Sequence, residues 1–540
     1  MISTIQVLIL LLAVVVAVAV IANRLKIPPA ILLVLTGVLL ALVPGLPPLQ
    51  LAPELVLLLV LPPVIYTSAF LMSWREFRFN LRPITLLSVG CVVFTTLAVA
   101  GAAHWLMDLD WPVGFVLGAI VSPPDAIAPL SIARRMEIPR RILVILEGEG
   151  LANDATALIL YRFAVGAVSV GVFSFAQASG MFAAIVAGEI VWGIGVGWLM
   201  LRLRRWVNDP LIEIMLSVLT PFLAFWPPEH LGGSGVLATV TAGLYVSWNG
   251  PRLISAATRL QGVFFWEFFT YVIEGMVFLI TGLQARTVIS RIGDYPLSQL
   301  VISVAVITAV VIVARFVWIF PATYMPRWLF PAIRRMDPSP PWQWPFVLAF
   351  TGVRGIVSLA AALAIPFATS TGQPFPYRDL ILFLTFSVIL ITLVGQGLML
   401  PWVIRELGLS HAGRKERELN EAEERKARFE AVEAAIERLD QLAAERNLSP
   451  DVIEAARYQQ QDRLKHTENR SDGEDAMRGH AELHDEVERL LIAAERTRIN
   501  DLFRSGKLKD EARRRIEREL DMREAHLSNQ RYSHDAPRLF

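Results

Sequence analysis

Apolar residues fill the first three-quarters of the chain in long runs, interrupted at short intervals by arginine, proline and glycine. Runs of about 18 residues or more, nearly free of charge, are long enough to cross about 30 Å of hydrocarbon as helices. About thirteen such runs lie near residues 3–22, 27–44, 52–70, 83–106, 113–133, 143–171, 180–201, 211–229, 233–249, 263–284, 297–320, 344–368 and 379–403. A helix satisfies its own backbone inside lipid, so the pattern predicts an all-α polytopic membrane protein. The first run lacks a preceding basic segment and a small-residue cleavage site, which marks it as a retained span rather than a secretory leader.

Basic residues fall in every second connection: Arg24/Lys26, Arg75/Arg78/Arg82, Arg134/Arg135/Arg140/Arg141, Arg202/Arg204/Arg205, Arg252/Arg259 and Arg327/Arg334/Arg335. The connections between them hold only Arg286, Arg291 and Arg378. The positive-inside rule then predicts an N-terminus outside the cell membrane and a C-terminus in the cytoplasm. The apolar pattern stops near Leu409, where Glu, Arg, Lys and Ala take over at helical spacing. Residues 1–409 are therefore expected to form a transmembrane domain and 410–540 a helical cytoplasmic tail, solvated or regulatory, whose ligand the sequence does not name. His466, His480 and His484 in that tail show no metal-ligand spacing.

Composition adds little beyond this. The chain is 54 % hydrophobic and 18 % charged, with lipid the expected partner and no nucleic acid; the formal charge of +1 says little about partners, because the two halves differ so much. Its one cysteine, Cys91, excludes a disulfide framework. No nucleophile–base set, phosphate loop or metal motif is present, and neither enzymatic activity nor a cofactor is expected.

Two runs are flawed as simple rods. The fifth carries Ser122-Pro123-Pro124-Asp125 near its middle, where two prolines remove helix donors. The twelfth carries Thr351-Gly352-Val353-Arg354-Gly355. Non-helical backbone at membrane depth survives only against protein or a water-filled cavity. Two unwound spans, seven apart, predict inverted repeats with spans one to six matched by eight to thirteen, the layout in which broken helices meet at an ion site.

Charged groups in hydrocarbon are costly and hence candidates for function. The sixth span places Glu149, Asn153 and Thr156 on one helical face, with Asp154 about 100° further round. Asp154 lies roughly 20 Å along the helix from the cytoplasmic arginines, near mid-membrane, and Asp125 reaches a similar depth. Hard cations take oxygen ligands. Asp154 would supply the strong negative oxygen for Na⁺ or Li⁺, with Asn153, a hydroxyl of Ser122 or Thr156, and carbonyls freed by the proline break. A carboxylate held away from water takes up either a proton or a cation, so competition for one site with alternating access couples the two fluxes. Asp125 could instead cap a half-helix, and Glu149 is read as neutralising Arg354 rather than touching the ion. Glu274 in the tenth span could line an ion path.

The segments Ser122–Ala128 and Leu146–Leu158, with Thr351–Ala360 and Gly395–Pro401, resemble the bacterial Na⁺/H⁺ antiporters of the monovalent cation:proton antiporter-1 family, relatives of the animal Na⁺/H⁺ exchangers. The resemblance implies a thirteen-helix homodimer of the elevator type, with Asp154 as ion and proton carrier and Asn153 its neighbour. It places Asp125 at a crossing of the unwound fifth and twelfth spans and pairs Glu149 with Arg354. It implies electroneutral exchange of Na⁺, and of Li⁺, for protons. K⁺/H⁺ exchange is the near alternative; a channel would need pore loops or subunit rings, and a sensor an output module, neither of which is present.

Overall fold

Within the described residues the apolar runs are helical, the fifth and twelfth as two helices each, and the interruptions become caps, turns or breaks. The computed structural model describes residues 4–44, 53–170, 175–207, 209–250, 253–254, 256–293, 295–369 and 372–446, together with scattered positions from 450 to 522. Among them no strand occurs beyond an isolated bridge between Ala368 and Pro374. His466, His480 and His484 of the tail lie outside the described residues.

The chain opens with α1 (Thr4–Leu25) and α2 (Pro29–Ala41). Next come α3 (Pro53–Leu55), a π-helical stretch Val56–Val60, α4 (Leu61–Leu71) and the short α5 (Trp74–Phe79). Then α6 (Leu81–Thr85) widens to π geometry over Leu86–Cys91 and continues as α7 (Val92–Met107). Helices α8 (Trp111–Val121) and α9 (Ile127–Arg135) flank the proline break, and α10 (Arg140–Val170) follows. Four long helices, α11 (Phe175–Arg204), α12 (Pro210–His230), α13 (Val236–Asn249) and α14 (Ala256–Leu283), lead to the short α15 (Ala285–Arg291). After α16 (Leu297–Leu329) and α17 (Pro331–Met336), α18 (Gln343–Phe350) and α19 (Ile356–Leu363) flank the glycine break. The membrane part ends with α20 (Arg378–Ile391), a π-helical Thr392–Gln396 and α21 (Gly397–Glu406), before α22 (Leu409–Arg446). Eight of these segments are long and apolar enough to cross a membrane.

Local chemistry sets the ends. Proline occupies the first turns of α2, α8 and α12, where a missing N–H deprives no carbonyl of a partner. Asp209 accepts from Leu211 N–H at 2.8 Å to start α12, and the Ser73 hydroxyl accepts from Glu76 N–H to start α5.

Packing divides the helices into two panels. One holds α1, α2, α4 and α11–α14, and the other holds α6–α10, α16 and α18–α21. Within the first panel α2 and α14 cross at Gly37 and Gly282, where a Cβ on either would strike the other's backbone. Residues such as Leu61, Val99, Leu117, Leu244 and Leu384 form one apolar core that runs through both panels. By internal packing the chain separates into two compact units, Met1–Ser410 and His411–Phe540.

Candidate ion-binding site

The two helix breaks build the site. α8 stops at Val121 because Pro123 and Pro124 have no N–H with which to continue it, and the chain resumes as α9 at Ile127. α18 stops at Phe350 and α19 starts at Ile356, with residues 351–355 between them outside any helix. The breaks touch: Asp125 N–H donates to the Val353 carbonyl at 2.7 Å. Gly355 approaches so closely that a Cβ there would collide with the Asp125 carboxylate.

A broken helix presents bare carbonyls at one end and bare amides at the other. Arg354 meets the carbonyl end of α8, donating from Nε to Val121 O at 2.8 Å and from Nη2 to Ser122 O at 3.3 Å. Its Nη1 donates to the Gly352 carbonyl, and its backbone N–H to Thr392 Oγ1 at 3.0 Å. A cation there also complements the helix dipole. At the amide end Asp125 Oδ1 accepts from Ile127 N–H at 3.0 Å, while Oδ2 is buried without a hydrogen-bond partner.

α10 runs beside this junction. Asn153 is fully enclosed and its Nδ2 donates to the Pro124 carbonyl at 2.6 Å, leaving Oδ1 buried and unpartnered. Asp154 follows it in sequence, partly accessible and within electrostatic reach of Asp125. Glu274 on α14 is within reach of both Asp125 and Arg134. Thus Asp125, Asn153, Asp154 and Glu274 share one region. The hydroxyls of Ser122 and Thr156 are buried and donate within their own helices, to Ala119 O at 3.2 Å and Ala152 O at 3.4 Å. A hydroxyl that donates elsewhere still has lone pairs to offer a cation. Of the carbonyls freed by the proline break, those of Val121 and Ser122 accept from Arg354 and that of Pro124 accepts from Asn153, each with a second lone pair remaining.

One expectation is overturned. Glu149 does not pair with Arg354. It is gripped by Arg315 of α16, with Nη1 to Oε1 at 2.5 Å and Nη2 to Oε2 at 2.7 Å. Both side chains are about 2 % exposed or less, and Arg315 also donates to Leu348 O from Nε at 3.1 Å. The planar fork of Arg315 matches the carboxylate, whereas Arg354 is spent on backbone carbonyls. Arg315 stands in the apolar run Ile307–Phe320, and its lone charge there was the signal that could have found it. Two other charged groups tie helix ends together. Glu189 accepts from the backbone N–H groups of Ser234 at 2.6 Å, Gly235 at 3.1 Å and Leu237 at 3.0 Å, capping the start of α13. Arg162 of α10 ties to Glu229 and to the Gly233 carbonyl.

The arrangement gathers acidic and amide oxygens with no hydrogen-bond donor assigned to them, at the contact of two helix breaks. Such a set can hold a proton or one small hard cation.

Comparisons with known proteins bear on the family and the fold. Residues 9–406 match the family model described as sodium/hydrogen exchanger, transmembrane. A protein named an uncharacterized Na⁺/H⁺ exchanger, from Mycobacterium tuberculosis strain H37Rv, is 35 % identical over 96 % of both chains. A sodium, potassium, lithium and rubidium/H⁺ antiporter of Bacillus subtilis is 34 % identical over 73 % of this chain and 60 % of its own. In fold the chain is similar to the sodium proton antiporter MjNhaP1 of Methanocaldococcus jannaschii, with a TM-score of 0.60 at 20 % identity over 74 % of this chain and 96 % of that one.

Proposed function

The chain belongs to the sodium/hydrogen exchanger family, and from that premise we propose that it exchanges monovalent cations for protons through the Asp125–Asn153–Asp154 site. What supports this most is the junction of the two breaks, where Asp125 Oδ2 and Asn153 Oδ1 are buried without partners beside Asp154. The thirteen passes would be α1, α2, α3–α4, α6–α7, α8–α9, α10, α11, α12, α13, α14, α16, α18–α19 and α20–α21, with the N-terminus outside, the tail in the cytoplasm and inverted repeats that set the two breaks face to face. The panel carrying both breaks and α10 would move against the other, which would hold a homodimer together, in elevator fashion.

Purified protein in vesicles tests this. Na⁺, Li⁺ or K⁺ added outside should release protons from wild type and not from Asp154→Asn. Release persisting at near wild-type rate in the variant would refute the site. The printed name of the Bacillus subtilis relative keeps K⁺ in the comparison; a higher rate with K⁺ than with Na⁺ would make K⁺/H⁺ exchange the better reading.

The exchange is one cation for one proton and electroneutral. Asn153 stands where a second carboxylate would add charge, so Asp154 alone alternates between a proton and a monovalent ion, and both loaded forms carry the same charge. Asp125 has one oxygen committed to Ile127 N–H at 3.0 Å, at the positive start of α9. A membrane potential imposed without ion gradients should therefore drive no Na⁺-dependent proton uptake. Uptake that Asp154→Asn abolishes would refute one-to-one coupling.

A further inference from the structure

Three arginines from three helices converge on one carboxylate outside the ion site. Arg82 of α6 reaches Asp337 Oδ2 at 2.5 Å, Arg141 of α10 reaches Oδ1 at 2.8 Å, and Arg327 of α16 reaches Oδ2 at 2.7 Å. Burial alone would raise the Asp337 carboxyl, but the hydrogen bond and charge of Arg141, with the charges of Arg327 and Arg82, outweigh it and hold the group below the usual carboxylate range. Asp337 is therefore ionised, and the cluster keeps two positive charges in excess. Part of its donor capacity is spent elsewhere: Arg141 Nε donates to Asn80 Oδ1 at 2.9 Å and Arg327 Nε to the Asp337 carbonyl at 3.1 Å. Arg82 and Arg141 remain 30 % and 22 % exposed, so their outer N–H groups can be reached from outside.

Against the three guanidinium groups lies a cavity of about 30 Å³ whose other walls include Leu86, Leu348 and Trp344. That volume admits about two water-sized groups, so it suits the oxygens of a headgroup and not a bulky ligand. Charge at the rim with apolar walls beneath is the arrangement a phospholipid presents in reverse. Trp328 and Trp342, neighbours in sequence of Arg327 and Trp344, are strongly exposed, as aromatic side chains are at headgroup depth. Arginine forks bind phosphate oxygens in pairs.

We propose that Arg82, Arg141 and Arg327 form a binding site for the phosphate of an anionic phospholipid, with Arg82 and Arg141 donating to its oxygens and the acyl chains lying outside along the apolar helix faces. Asp337 keeps the three guanidinium groups together when the lipid leaves. The site rests on the chain being a membrane protein and not on which ion it carries.

The test uses the full chain purified in detergent and stripped of lipid, then offered phosphatidylglycerol, phosphatidylcholine or inorganic phosphate. Retention is read by native mass spectrometry and protection by thermal unfolding. Wild type should retain and be protected by phosphatidylglycerol and not by phosphatidylcholine. Arg82→Gln and Arg141→Gln each leave two arginines on Asp337, and each should weaken retention about tenfold, the loss of one charge-assisted hydrogen bond. Arg82→Lys should recover part of it. Arg334→Gln, an exposed arginine of α17, should match wild type and so separates a built site from general surface charge. Equal retention of phosphatidylglycerol by wild type and both glutamine variants would overturn the proposal. So would equal protection by phosphatidylcholine, or protection by inorganic phosphate that matches the lipid.

Discussion

At the residue scale the outcome turns on which arginine answers which acid. Spacing put Glu149, Asn153 and Asp154 together on one helix, α10, because helical periodicity is a local property. The partner of Glu149 depended on tertiary packing, and two buried arginines competed for it. Arg354 sits in a backbone break and is drawn to the carbonyls that the break uncovers, which left Glu149 to Arg315 at 2.5 Å. Sequence spacing carries no information about that competition. The assignment makes a specific claim about stability. Arg315→Gln leaves the Glu149 carboxylate buried without its counter-charge, which costs about 3–5 kcal/mol. Glu149→Gln added to Arg315→Gln removes the orphan charge and should recover much of the loss in thermal unfolding. Glu149→Gln added to Arg354→Gln should recover nothing, because the groups stranded there are the carbonyls of Val121 and Ser122. Equal rescue of both arginine variants would show that Arg354 shares the pairing.

At the element scale the two breaks and their meeting were legible, and the atoms that make the contact were not. Pro123-Pro124 and the glycines around Arg354 interrupt helices by local chemistry alone, so the sequence marks where α8 and α18 end. The π-helical stretches at Val56–Val60, Leu86–Cys91 and Thr392–Gln396 left no such mark, since their residues continue an apolar helical pattern. The contact between breaks rests on the absence of a side chain at Gly355, where a Cβ would meet the Asp125 carboxylate. Its backbone is extended, with φ −139° and ψ −152°, so alanine brings no conformational strain and only the collision remains. Gly355→Ala should displace Asp125 and lower cation–proton exchange in vesicles at least tenfold, while Gly395→Ala, which meets open space, should exchange normally. Normal exchange by Gly355→Ala would mean that the closeness of the breaks is immaterial to transport.

At the scale of the whole molecule, the ion pairs are distributed unequally. At the end that the arginine-rich connections assign to the cytoplasm, Arg134–Glu147 and the Asp337 cluster lie within the panel that carries the breaks. Arg140 there reaches Glu76 on the short connecting α5. At the opposite end Arg162 of α10 bonds Glu229 of α12 and the carbonyl of Gly233 beyond it, and Arg291 of α15 lies 3.9 Å from Asp379 of α20. The Arg162 contacts cross from one panel to the other, and Arg291–Asp379 ties α15 to α20. In the movement proposed above, α10 would have to break the Arg162 contacts to slide against α12 and α13, so on the proposed orientation these contacts oppose opening toward the outside. Arg162→Met keeps most of the side chain's apolar bulk and removes the charge, and should raise the population that is open outward. A cavity of about 420 Å³ between α15 and α20, partly lined by Leu363 and facing outward on the proposed orientation, gives a place to read this. With Cys91, the chain's one cysteine, replaced by alanine, a cysteine placed at Leu363 should react with a membrane-impermeant maleimide several-fold faster when Arg162→Met is added, as expected from loss of a charge-assisted bond. Glu229→Gln should act in the same direction and less strongly, because the Gly233 carbonyl still receives Arg162. Labelling at the same rate in all three proteins would show that the pair does not bear on which side is open, and would leave the outer end held by packing alone.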